Sequence, residues 1–128
     1  MTLDSSALVA IIFAEAGYLD LVDRVLESDH ARIGAPTLTE TSIVVAARTG
    51  KPMAGVVEGL VEEMGIAVVP FGESEWRAAR EAYLHFGRGR HPAGLYFGDC
   101  LAYATARVAR DRLLFVGKDF AKTDIDAA

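Results

Sequence analysis

Only one cysteine, Cys100, occurs in the 128 residues. That excludes an internal disulfide and a zinc site built from this chain's own cysteines, and it suits a reducing compartment. Long apolar runs are missing too. Leu8 to Ala14 is too short to cross a bilayer and no basic segment precedes it, so neither a membrane span nor a signal peptide is expected, and the cytoplasm is the expected location. Positive charge is scarce: a formal net charge of -5 argues against a broad, sequence-independent nucleic-acid coat, which needs many Lys and Arg against phosphates, but leaves room for a local basic path. Asn and Gln are absent and Arg outnumbers Lys, a composition that GC-rich coding favours. Neither GxxxxGK[ST] nor a GxGxxG after a strand is present, so the common phosphate-cradling loops of nucleotide-binding proteins are missing.

What is present reads as a folded α/β chain. Hydrophobic residues make up 52% and charged residues 24%, which fits a globular protein and argues against extended disorder. The length suits one domain over residues 1–128, with no repeat, linker or low-complexity segment. Leu3 ends a very short strand, and Ser5 or Ser6 is placed to cap a helix carrying Leu8, Ile11 and Ile12, which Gly17 breaks. Leu21, Val22, Val25 and Leu26 mark a second helix; ARIGAP is a short strand closed by Pro36, and another helix begins near Thr37. Pro52 suits the first turn of a helix carrying Val56, Val57, Leu60 and Val61 as far as Gly65. IAVVPF then reads as strand. From Glu73 to Phe86 the positions Trp76, Ala79, Tyr83 and Phe86 share one helix face, and GRGRHPAG is expected to form a mobile loop. A helix entered near Gly98 and Asp99 and a last strand in DRLLFVG complete the alternation. Such an order predicts a three-layer α/β/α sandwich around a mainly parallel central sheet.

On this outline Asp4 follows the first strand, Glu40 lies early in the helix after ARIGAP, and Asp119 follows LLFVG. Ligands of open parallel sheets bind outside the carboxyl ends of the strands, so these acids are candidates for one edge, and Asp99 starts a helix that can face it. Each has a plain structural reading as well: Asp4 as a helix N-cap, Glu40 in a Thr37-x-x-Glu40 capping box, Asp99 as a cap, Asp119 in a polar turn. Taken together they raise an electrostatic problem. Two carboxylates about 4 Å apart repel by roughly 4 kcal/mol at an effective dielectric near 20, whereas a helix terminus returns only about 0.3 to 1 kcal/mol. Either the groups stay apart, their pKa values rise, or a divalent cation joins them. Oxygen-only ligands select a hard ion, Mg2+ or Mn2+ rather than zinc, and the chemistry that follows is phosphodiester hydrolysis.

With Asp4, Glu40, Asp99 and Asp119 in that order, the chain resembles the PIN-domain ribonucleases, specifically the VapC-type toxins of type II toxin-antitoxin pairs. The matching stretches are LDSSAL, APTLTE, FGDCLAYATA and LLFVGKDFAKTDI, which span nearly the whole chain. The resemblance implies a PIN-like sandwich, a metal-dependent endoribonuclease, the four acids as the catalytic and metal-binding quartet, and Ser6 as the small polar residue that orients the first acid. It also implies RNA as substrate, a small antitoxin protein as partner and a homodimer. One departure is Lys118, where many relatives carry another acid beside the equivalent of Asp119; Asp124 is the substitute for the fourth position.

In GRGRHPAG, Arg88, Arg90 and His91 are suited to gripping RNA phosphates beside the acids, or form a solvated loop. Cys100 with His85 or His91 suggests a thiol nucleophile, against core packing of a cysteine on an apolar helix. His30 reads as a surface turn residue and Phe120 as a cover for the end of the sheet. Trp76, Tyr83 and Phe86 can stack bases, but their helical spacing makes them core first. The N-terminal helices carry more apolar residues (Leu8, Val9, Ile11, Ile12, Phe13, Leu19, Leu21, Val22) than one face needs, which offers a groove for a partner helix. Two other functions compete: a haloacid-dehalogenase-like phosphatase, which needs a second Asp where this chain has Ser6, and a non-catalytic interaction domain.

Overall fold

The computed structural model describes residues 1–128. In chain order the elements are β1 (Thr2–Leu3), α1 (Ser5–Ile12), α2 (Tyr18–Leu26), β2 (Arg32–Gly34), α3 (Ala35–Thr49), α4 (Ala54–Glu63), β3 (Ala67–Val69), α5 (Glu73–Phe86), α6 (Phe97–Ala109) and β4 (Leu113–Leu114). The four strands form one sheet in the order β3-β2-β1-β4, and every pairing is parallel. Because successive side chains of a strand point to opposite faces, Leu113 and Leu114 enter two different cores. Leu114 joins Leu3, Leu8, Val25, Ile33 and Val61 on one face, while Leu113 joins Leu95, Ala102, Tyr103 and Phe120 on the other. Helices cover both faces, giving the three-layer α/β/α sandwich.

Local chemistry explains the boundaries, and in places shifts them from the expected positions. Helix α1 is capped by Asp4 itself, whose carboxylate accepts the Ser6 N–H, not by Ser5 or Ser6. Helix α3 starts at Ala35, with Pro36 in its first turn; proline's missing N–H costs nothing there, so Pro36 opens the helix instead of closing the strand. Pro52 lies ahead of α4, outside it.

Helix α5 buries Ala79 and Ala82, whereas Trp76 and Tyr83 are exposed. Helix α5 packs on α6, and Ala79 and Ala82 join Ala102, Tyr103 and Ala106 of α6 in one core. Trp76 lies instead beneath the guanidinium groups of Arg77 and Arg80, 4.9 and 5.3 Å from its ring centroid. Phe86 does pack inward, on Tyr103.

Two close approaches bring α3 and α6 together at the carboxyl end of the sheet. A Cβ on Gly34 would sit 2.6 Å from Thr105 Oγ1, so glycine lets β2 lie against α6. One on Gly98 would meet the Glu40 carboxylate at 2.5 and 2.7 Å. The other end of the sheet is tied by charge, with Asp111 contacting the Met1 ammonium at 3.2 Å and Arg32 Nε at 2.8 Å. The C-terminal residues add to the sheet beside β4: Leu113 N–H donates to Asp126 O and Ala128 N–H to Leu113 O, both at 2.9 Å, which covers an edge strand.

Candidate metal centre

Asp4 leaves β1 in extended backbone and is 4% exposed. Ser6 donates to its Oδ2 twice, through its N–H at 3.0 Å and its hydroxyl at 2.5 Å. Ser6 Oγ in turn accepts the Val116 N–H at 3.0 Å, so one hydroxyl ties the first acid to the segment that leads from β4 to Asp119. Burial pushes the Asp4 carboxyl above its ordinary range; the Ser6 bonds oppose this and the Glu40 charge adds to it.

Asp99 stands in the first turn of α6, 5% exposed, and its Oδ2 accepts the Tyr96 N–H at 3.0 Å. Burial raises its pKa to about 7, opposed by the Tyr96 bond and reinforced by the charges of Asp4, Asp119 and Glu40. The charges of the other three acids thus all reach Asp99.

For Glu40 the capping-box reading fails. Because α3 begins at Ala35, Thr37 lies inside the helix, fully buried with its hydroxyl unpartnered. Glu40 Oε1 accepts the Tyr96 hydroxyl, and its Oε2 is buried with no hydrogen-bond partner. Asp119 is exposed in the turn after β4. Asp124 is engaged elsewhere: it accepts the Tyr103 hydroxyl at 2.6 Å and lies 3.7 Å from Arg107. Burial and this partner push Tyr103 up to about 12. Of the two late acids, Asp119 is the one whose charge reaches Asp99.

No Lys, Arg or His pairs with any of the four; every ion pair in the chain involves other residues. As they stand, no three acidic, histidine or cysteine groups are spaced to grip one ion. Their chemistry still fits a hard divalent ion. The donors are all carboxylate oxygens, two of the groups are buried without a cation, and the unpartnered Oε2 of Glu40 is a buried acceptor with no donor to satisfy it.

The remaining candidates fall into place differently. GRGRHPAG is pinned across its base, with Arg88 N–H donating to Leu95 O and Leu95 N–H to Phe86 O, both at 2.9 Å, so the expected mobile loop is a hydrogen-bonded one. Arg88 is exposed; Arg90 folds back to donate to Leu84 O at 3.3 Å; His91 accepts the Ala93 N–H and meets the Phe86 ring edge-on. Cys100 is buried, and burial raises its thiol to about 11, which removes the nucleophile reading because a thiolate is needed. The surplus apolar residues of the N-terminal helices are largely core, with Leu8, Val9, Ile11 and Leu21 all buried.

Leu19 of the same helices is 62% exposed, and a further exposed apolar surface forms an open groove of about 760 Å³ where Ile43, Trp76, Phe97 and Leu101 surround Glu40 and Tyr96. Ile43 is 63% exposed, Trp76 46% and Phe97 77%. The sequence reading missed both this groove and Tyr96. An aromatic residue immediately before a helix opening Phe-Gly-Asp was the available signal, since nothing in that helix's apolar spacing calls for it.

The PIN domain family model matches residues 1–126. Ribonuclease VapC36 of Mycobacterium tuberculosis is 40% identical over 127 residues, covering 98% of this chain and 91% of that protein. Among solved structures, Mycobacterium tuberculosis VapC20, described as a Sarcin-Ricin loop cleaving toxin, superposes with a TM-score of 0.76 at 16% identity, covering 99% of this chain and 97% of that one. A toxin-antitoxin complex from Klebsiella pneumoniae gives 0.68 at 15% identity, covering 96% and 92%.

Proposed function

Since the chain belongs to the PIN-domain family, we propose that residues 1–128 act as one unit, a VapC-type endoribonuclease that hydrolyses RNA phosphodiester bonds as the toxin of a toxin-antitoxin pair. Asp4, Glu40, Asp99 and Asp119 hold Mg2+ or Mn2+. The observation that carries this reading is the burial of Asp4 and Asp99 at one sheet edge, facing two further acids with no cationic side chain among them. Buried carboxylates so arranged are costly unless a cation joins them. The 40% identity to a VapC ribonuclease supports the choice of RNA as substrate.

When bound, the ion supplies charge for the phosphate under attack and makes water a better nucleophile. The residues of this chain do the rest. Ser6 and the Tyr96 N–H hold Asp4 and Asp99 in fixed orientations. Their burial keeps bulk water from weakening electrostatic attraction in the site. Arg88, which is exposed, and Arg90 of the loop that runs into α6 add affinity for RNA phosphates and little chemistry.

In the same reading a small antitoxin silences the chain, presenting an Arg to the four acids in competition with the metal, and the chain forms a homodimer. The test is direct: incubate the purified chain with RNA and Mg2+ or Mn2+, with EDTA in place of metal, and with p-nitrophenyl phosphate. Metal-dependent RNA cleavage is expected, without phosphate release from the small ester. Release of phosphate favours the phosphatase; neither reaction favours a binding module.

A further inference from the structure

Tyr96 touches two of the four acids by two separate groups. Its backbone N–H donates to Asp99 Oδ2 at 3.0 Å, and its hydroxyl donates to Glu40 Oε1. Beside that hydroxyl lies Gly98, whose missing side chain makes the space: a Cβ there would come within 2.5 Å of Oε2, 2.7 Å of Oε1 and 2.8 Å of the Tyr96 hydroxyl oxygen. The carboxylate of Glu40 thus packs against a hydroxyl and a bare glycine that lie side by side. One oxygen is committed and the other, Oε2, is buried without a partner. A long glutamate side chain has several rotamers, and ordering it costs free energy when a ligand binds. Here the hydroxyl and the glycine have done that ordering beforehand.

Resting on the metal-site reading above, we infer that Tyr96 is a positioning residue for Glu40, engaging Oε1 so that Oε2, which has no protein partner, is the oxygen left to serve an ion. Hydrogen bonds to the far oxygen of a ligating carboxylate fix its orientation, and their loss typically weakens metal binding by roughly 10- to 100-fold. Replacing Tyr96 with Phe isolates the effect. It removes the hydroxyl, keeps the ring at the rim of the groove, and leaves the N–H bond to Asp99 in place because that bond is made by the backbone.

The experiment is Mn2+ titration by calorimetry of the metal-free full chain as wild type, Y96F, E40Q, D4N and the Y96F/E40Q pair, with a melting curve for each to establish folding. Y96F is expected to raise the Mn2+ Kd roughly tenfold. In the E40Q background the same change is expected to add nothing, because residues that act as a unit are not additive; a merely structural contribution would add in full. Gly98→Ala puts a methyl group against both the same carboxylate and the Tyr96 hydroxyl and is expected to weaken Mn2+ as Y96F does, which keeps the inference testable should Y96F fold poorly. A Y96F protein with wild-type Mn2+ affinity, or an undiminished Y96F effect on top of E40Q, overturns the inference while D4N and E40Q still report on the metal site. A wild-type chain that takes up no Mn2+ overturns both.

Discussion

Burial among like charges raises the Asp99 carboxyl to about 7 against an ordinary 3.8. The sign follows from linkage. A carboxyl whose pKa is raised by folding contributes stability that is complete below its unfolded pKa and is lost as pH rises through its folded one. In EDTA, the melting temperature is therefore expected to fall as pH rises from about 4 to about 7, and D99N is expected to flatten that slope and melt higher at neutral pH. A wild-type slope retained in D99N would assign the effect to other groups. Mn2+ competes with the same proton, so its affinity should rise across this window. The second expectation concerns chemistry: D4N and D99N keep shape but remove charge, so RNA cleavage should fall by at least about 100-fold while folding is retained, as followed by gel assay and circular dichroism. Asp4 and Asp99 stood out in the sequence because one follows the first strand and the other starts a helix that can face the same edge of the sheet. Tyr96 did not, since its importance rests on which carboxylate its hydroxyl reaches across the fold, more than fifty positions away in sequence.

The loop between α5 and α6 shows how an element was legible in kind but not in detail. Its glycines and proline excluded helix, yet Phe86, Arg88 and Leu95 close it with two backbone hydrogen bonds, and Arg90 is drawn back to Leu84. R88A combined with R90A is expected to weaken RNA binding and to flatten its salt dependence by about one to two units of slope, with Mn2+ affinity unchanged; fluorescence anisotropy at several salt concentrations reads both. An unaltered slope would show that these arginines do not meet phosphate. Boundaries were similarly half legible. Thr37-x-x-Glu40 has the spacing of a capping box, but Ala35 and Pro36 already begin α3. That shift of two residues turns Glu40 from a cap into a side chain free to reach Tyr96. The face of α5 was misjudged at Trp76 and Tyr83 because helical spacing groups residues on one side without saying which of them the partner helix covers, here Ala79 and Ala82.

Alternation of apolar runs with turn signals made the parallel α/β sheet readable across the chain, and parallel pairing placed Asp4, Glu40 and Asp119 after the carboxyl ends of β1, β2 and β4. What the alternation does not encode is which surface remains uncovered. The groove of Ile43, Trp76, Phe97 and Leu101 opens beside Glu40 and Tyr96, so a partner seated there lies next to the acids. An inhibitor that combines an apolar helix with an arginine matches both surfaces, the helix filling the groove and the guanidinium meeting the carboxylates. I43D places a charge where that contact is apolar, outside the four acids. It is expected to weaken a complex with a cognate antitoxin of this kind by at least about tenfold, while D4N, which leaves the groove intact, still co-purifies. Pull-down and light scattering measure this together. Should I43D retain the antitoxin but convert a dimer to a monomer, the groove joins two copies of this chain instead, and the antitoxin must approach the acids from another side.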